Sequence, residues 1–334
     1  MPKKKGIVKK VFLIIFLALV LLCAFDIIRV KIYAKQIPHR YASSDEAREM
    51  IRGNTAYFGN LTQNDIEYRM QKTGASLDEL TEAAANEVYN FSSIEKFFLD
   101  SRLAKMKRKL NKNGYELPQI DEIVFVKTNL ETESGADGYT RGTDIYLGTA
   151  LVNTCTVMGF KEEYSSLAER VLWHELFHCL TRCNPDFRKQ MYSIIGFNVN
   201  GTDYEIPPTV REYMITNPDV EHHDSYASFV IDGKATDCFT VFVTTKKFKE
   251  AQSDFFAYGT TALVPIDGTD TYYTPGQAEN FDELFGRNTK YVIDPEECMA
   301  DNFQLAMQYG INGENGQGYA SPEIIRGIID AVSR

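Results

Sequence analysis

The chain has 334 residues, 44% of them apolar and 25% charged, a globular composition that excludes wholesale disorder. Its net charge of −10 is unevenly spread, because the first 35 residues hold eight Lys and Arg against one Asp and the remainder carries the whole acidic excess. A body this acidic, with no aromatic-rich basic stripe, excludes a nucleic-acid partner, which would need a basic surface.

Residues 1–10 form a basic flank containing Lys3, Lys4, Lys5, Lys9 and Lys10. An uncharged run from Val11 to Phe25 follows; Asp26 ends it, and Ile27 and Ile28 extend it weakly. Residues 11–28 are therefore expected as a transmembrane signal anchor. No small-x-small cleavage site follows the run. Secretion after cleavage is the alternative, and Cys23 offers a lipoprotein reading that Leu22 before it opposes. In each case the basic flank stays inside, so the body is expected outside the cytoplasm; as an anchor, the run would hold it at the cell membrane by a single pass. The five cysteines beyond the run are Cys155, Cys179, Cys183, Cys238 and Cys298. Their odd number leaves a free thiol or an intermolecular bond, and with no CxxC pair a separate structural zinc site is not expected.

Residues 29–41 read as a linker leaving the membrane, and residues 42–114 as an accessory helical region. Ser43 with Glu46, Ser76 with Glu79, and Ser92 with Glu95 have the spacing of helix-starting capping boxes. An amphipathic helix is expected from Ser93 to Leu110, stopping at Asn113–Gly114. Beyond it, Ile120–Lys127 and Thr143–Leu147 read as strands, with a polar loop over Thr128–Gly138 between them. A long helical pattern covers Lys161 to Cys183 and is closed by Asn184–Pro185. Phe187–Ile195 reads as a helix, Tyr226–Ile231 and Thr240–Thr244 as strands with a turn at Asp232–Gly233, and 258–280 as loops or short strands. Helical patterns over Pro295–Tyr309 and Pro322–Val332 complete the chain.

The long helix carries His174-Glu175-Leu-Phe-His178. Four residues make slightly more than one turn, so both imidazoles leave the same face and can reach one zinc ion. Glu175 is set round the helix from that pair, where it can reach a water on the metal without being a ligand. A catalytic zinc wants three protein ligands and one open position. The third is expected in Asp294-Pro295-Glu296-Glu297-Cys298-Met299-Ala300-Asp301, where Pro295 suits a first helical turn and Glu297 and Asp301 share a face. One of these carboxylates would bind the ion and the other would hold a ligand histidine. Glu296 is the adjacent alternative, and the cluster Glu221-His222-His223-Asp224 is a rival source of the third ligand.

HELFH followed by ExxxD resembles the gluzincin group of zinc metallopeptidases, the thermolysin-like clan; HExxH is highly specific, whereas ExxxD alone is weak. The resemblance covers two short segments. It implies His174, His178 and Glu297 as ligands of one catalytic Zn2+, Glu175 as general base, and Asp301 as the group that orients His174. The chain departs from thermolysin in one respect: 118 residues separate His178 from Glu297, a much longer interval, which leaves room for a β-rich insertion at about 200–290. No third histidine follows HExxH at short range, so the metzincin pattern is excluded.

The implied fold is α+β and zincin-like: a small mixed sheet packed on the HExxH helix, a helical C-terminal part that supplies Glu297, and accessory N-terminal helices, with the metallopeptidase domain spanning 115–334. Thr143–Leu147 resembles the edge strand that lines the cleft in that fold, to which a peptide substrate could add. His222, His223, Tyr226 and Tyr273 are open candidates for stabilising the oxyanion. The expected activity is hydrolysis of peptide bonds in a peptide or protein substrate. The other classes are a catalytically inactive zincin-like binding protein at the cell surface and a zinc amidase acting on the cell envelope.

Overall fold

The computed structural model describes residues 3–250 and 254–333, as an assembly of mixed α and β elements with many helices and two small sheets. The first helix, α1, runs from Lys3 to Ala34. Its stretch Phe12–Ala34 covers 23 residues, and among the described residues it is the single helix long and apolar enough to cross a membrane. At about 1.5 Å per residue it reaches some 35 Å, against a hydrocarbon core of about 30 Å.

The stretch expected as a linker, residues 29–41, is ordered structure instead. Helix α1 continues to Ala34, whose side chain is buried with Ile37 in the main core, and β1 (His39–Tyr41) joins the first sheet. The apolar residues past Asp26 continue the helix because they have the body to pack on. Val30 and Tyr33 lie against that same core, and α1 packs along α6 (Ser93–Asn113).

Four short helices precede α6: α2 (Ser44–Gly53), α3 (Thr55–Asn60), α4 (Gln63–Met70) and α5 (Leu77–Asn86). The short strand β2 (Val88–Tyr89) links α5 to α6. Capping boxes close at Ser76 and Ser92 with both reciprocal bonds. At Ser43 only the serine side of the box forms, because the Glu46 carboxylate turns to Arg40 at 2.6 Å. Helix α6 ends on Gly114, whose φ of 69° is the left-handed conformation that favours glycine at a helix end.

The first sheet contains β3 (Ile123–Thr128), β4 (Gly138–Arg141) and β5 (Asp144–Gly148) in the order β1-β3-β5-β4. Strands β1, β3 and β5 are parallel and β4 is antiparallel to β5, while β2 pairs with the far end of β3. Thr143–Leu147, expected as an edge strand, is therefore interior. The edge is β4, whose first residue closes the stretch expected as a loop. With four residues and a glycine, β4 is too short to show strand periodicity in the sequence.

Helix α7 (Thr149–Met158) leads into α8 (Glu162–Cys183), and α9 (Pro185–Ile194) starts on the proline that stops α8. The second sheet begins with β6 (Asn198–Val199). After the short helix α10 (Pro208–Arg211), β7 (Ser225–Ile231), β8 (Lys234–Thr244) and β9 (Gly259–Pro265) complete it, all antiparallel. Asp232 and Gly233 make the β7–β8 turn with positive φ, 49° and 72°. Past α11 (Phe281–Phe285), α12 (Pro295–Tyr309) packs directly on α8, and α13 (Pro322–Val332) packs on α12.

Packing between α8 and α12 fixes the positions of the chemically interesting side chains. Trp173 and Phe177 of α8 meet Phe303 of α12 at ring-centroid distances of 6.1 and 5.4 Å, and all three are fully buried. Burial of a Phe side chain contributes about 1.5–3 kcal/mol, so this contact locks the two helices in register. None of the six cysteines is disulfide-bonded; Cys179 is buried and Cys183 exposed.

Candidate metal centre

His174 and His178 lie one turn apart on α8, with ring centroids 4.9 Å from each other. Each ring is gripped at Nδ1 by its own carboxylate: His174 donates to Asp301 Oδ1 at 3.0 Å and His178 to Glu296 Oε1 at 2.8 Å. Those bonds fix the tautomer and turn both Nε2 atoms towards Glu297. Glu297 Oε2 is 3.0 Å from His174 Nε2 and 3.7 Å from His178 Nε2. With Nδ1 holding the proton of a neutral ring, a bare nitrogen would face a carboxylate oxygen, lone pair against lone pair. Only a cation between them, or a second proton on the ring, makes that arrangement favourable.

Two further observations favour a cation. His178 Nε2 is buried and has no hydrogen-bond partner, a costly state for a polar atom. The donor atoms of His174, His178 and Glu297 all lie within 4.8 Å of one another. Two imidazoles and a carboxylate are the donors zinc accepts. The residues fit the ion.

Helix α12 supplies its carboxylates through its first turns. Asp294 caps the helix by accepting from the Glu297 backbone N–H at 2.9 Å, and Pro295 follows in the first turn. Glu297 Oε1 accepts from Asn217 Nδ2 at 2.6 Å and from the Tyr291 hydroxyl at 3.4 Å. Glu296, a candidate third ligand by sequence, is committed elsewhere. Beyond His178 it accepts from Thr181 at 2.6 Å and from the Tyr192 hydroxyl at 2.5 Å. Asp301 also accepts from the Thr289 hydroxyl.

Glu175 is buried on the neighbouring face of α8 and accepts from the Thr140 hydroxyl of β4 at 2.7 Å. Strand β4 comes so close that a Cβ on Gly138 would lie 3.0 Å from Glu175 Oε1, so glycine there lets strand and carboxylate approach. Asp219 is the neighbour the sequence did not suggest. Its Oδ1 accepts from the Thr140 backbone N–H at 2.6 Å and lies 3.9 Å from His178 Nε2. Burial pushes the carboxyls of Glu175 and Asp219 above the usual range, and burial with the Glu297 charge pushes Asp294 up to about 8. For His174, burial opposes the charged ring, but Asp301 and Glu297 outweigh it and raise its pKa well above normal. The pocket as a whole favours positive charge.

The rival cluster does not reach this point. Glu221 is bonded to Arg182 at 3.2 Å and to the Gly142 N–H at 2.7 Å. His222 meets Asp203 near the surface, the His223 ring contacts the Thr240 carbonyl, and Asp224 is clamped by Arg188. Among the suggested oxyanion groups, none of His222, His223, Tyr226 and Tyr273 lines the cleft that holds His174 and Glu175. Tyr291 does line it. It lies in an aperiodic stretch four residues before α12, where one tyrosine looks like any other.

Comparison of the chain with family profiles, curated proteins and solved structures returns no match.

Proposed function

We propose that the chain is a zinc metallopeptidase of the gluzincin type, anchored by α1 with its catalytic body outside the cytoplasm. The observation that carries this reading is the pair of Nδ1-tethered histidines whose Nε2 atoms converge on Glu297, one of them buried without a partner. His174, His178 and Glu297 would hold the ion. Bound there, zinc supplies Lewis acidity towards water and towards a substrate carbonyl.

The remaining chemistry belongs to the chain. Glu175 takes a proton from the attacking water as its oxygen bonds to the carbonyl carbon, then passes that proton to the departing nitrogen as the C–N bond breaks. Thr140 holds the Glu175 carboxylate in place. Tyr291, in the cleft wall beside His174, is suited to donate to the developing oxyanion. The outer edge of β4, rather than Thr143–Leu147, offers the main chain to which an extended peptide could add.

The test is metal analysis of the purified full-length chain together with peptide-library cleavage by Glu175→Gln. The variant should keep its zinc and lose hydrolysis. Retention of most of the activity would overturn the mechanism. Bound zinc with no turnover by the native chain would favour a non-catalytic surface protein, and turnover of envelope amides alone would favour an amidase.

A further inference from the structure

The segment Asn217–Glu221 occupies the place where a substrate strand would lie. The Thr140 N–H points away from β5, outward from the sheet, and Asp219 has already taken it. Arg141 reaches across to the Pro218 carbonyl at 2.7 Å, and the Gly142 N–H binds Glu221 at 2.7 Å. On the far side, Arg182 of α8 holds the Asp219 carbonyl at 2.7 Å. The segment therefore lies against the outer edge of β4, and its side chains occupy main-chain N–H groups that an added peptide would use.

Its side chains also enter the site. Asn217 binds Glu297, and donor atoms of Asp219, Glu175 and His178 lie within 4.8 Å of one another. Asp219 thus stands beside both His178 and Glu175, the residue that would act on the water. Two cavities meet at this residue. One contains His174, Glu175 and Tyr291, the other Arg182, Arg188 and Tyr192, and Asp219 lines both.

We infer that Asn217–Glu221 is an intrachain plug that keeps the site latent, with Asp219 as a displaceable extra ligand for the ion. The inference rests on the metallopeptidase reading. The plug hangs from Thr216, whose N–H is bonded to Asp65 at 2.8 Å and whose carbonyl is bonded to Arg69 at 2.7 Å. Both partners belong to α4, so the accessory helices grip the plug at its root. A ligand that needs the open state binds more weakly by the fraction of molecules in that state, so freeing the plug should show directly in affinity.

The experiment loads the full-length chain with Co(II) as a spectroscopic probe and titrates it with acetohydroxamate, which needs open coordination positions. Asp219→Asn keeps an acceptor for Thr140 and removes the charge, while Asp219→Ala removes both. Thermal melts establish that each variant is folded. The expected result is hydroxamate binding at least about tenfold tighter in Asp219→Asn than in the native chain. The visible cobalt spectrum should already differ before hydroxamate is added, and cleavage of peptides extended on both sides should rise. Equal affinity and identical spectra in native chain and folded variants would overturn the plug while leaving the metallopeptidase reading intact. Failure of the native chain to take up cobalt or zinc at all would overturn both.

Discussion

Glu296 holds His178 Nδ1 at 2.8 Å while its immediate neighbour in sequence, Glu297, faces the other nitrogen of the same ring. Two consecutive glutamates on α12 thus address opposite ends of one imidazole. The arrangement predicts that Glu296→Ala and Asp301→Ala each weaken zinc binding, by about 10–100-fold. Competition with a chromophoric chelator measures this; unchanged affinity in both variants would mean that the tethers orient nothing.

The approach of β4 to Glu175 predicts a steric effect. In Gly138→Ala the new methyl would lie 3.0 Å from the Glu175 carboxylate and 3.1 Å from the Tyr146 carbonyl. Either Glu175 or the strand must shift. Small displacements of a proton-transfer group cost up to about 100-fold in rate, so kcat should fall by about 10–100-fold with zinc content unchanged. Peptide cleavage assays paired with metal analysis distinguish this from simple metal loss.

The elements that announced themselves in the sequence were those whose local signals agreed with their packing. Helix α12 begins at Pro295 and ends at Tyr309, the limits its sequence suggests, because Asp294 and Pro295 define the start and Gly310 the stop. The four-residue spacing was enough to put His174 and His178 on one face of α8, and α12 brings Glu297 and Asp301 to them. What stayed hidden depends on tertiary contact. Asp219 and Asn217 lie in an aperiodic stretch more than 70 residues from Glu297, and nothing local distinguishes them from surface loop residues. Strand β4 exists because β5 is there to pair with it, and β1 is a strand only by virtue of β3.

A buried ion cluster joins the accessory helices to the rest of the body. Arg69 is bonded to Asp65, to Glu133 at 3.0 Å and to the Tyr57 hydroxyl at 3.0 Å, with its side chain 1% exposed. Arg69→Met would leave two buried carboxylates without their cation. Removing one member of such a cluster costs about 3–5 kcal/mol. Urea denaturation should show a loss of that order; a loss below about 1 kcal/mol would contradict the geometry.

Glu87 provides a pH signature away from the histidines. It accepts from Thr132 through both N–H and hydroxyl, yet burial pushes its pKa up to about 7. A carboxyl whose folded pKa is raised contributes stability that is complete below its unfolded pKa of about 4.5 and is lost as pH rises through about 7. Glu87→Gln does not ionise, so relative to the native chain it should gain melting temperature between pH 5 and pH 8. Allowing for solvent screening, the gain is on the order of 1 kcal/mol, about 2–4 °C. A difference between the two proteins that does not vary with pH would rule this out.

Helix α1 is followed by a short turn over 35–38 and then by β1. Its last turn is sunk in the core through Ala34, and the next residues are already stitched to β3. If α1 serves as an anchor, this attachment ties the orientation of the first sheet to that of the helix. A soluble fragment intended to retain the native core would therefore have to start inside the helix, before Val30, rather than after it.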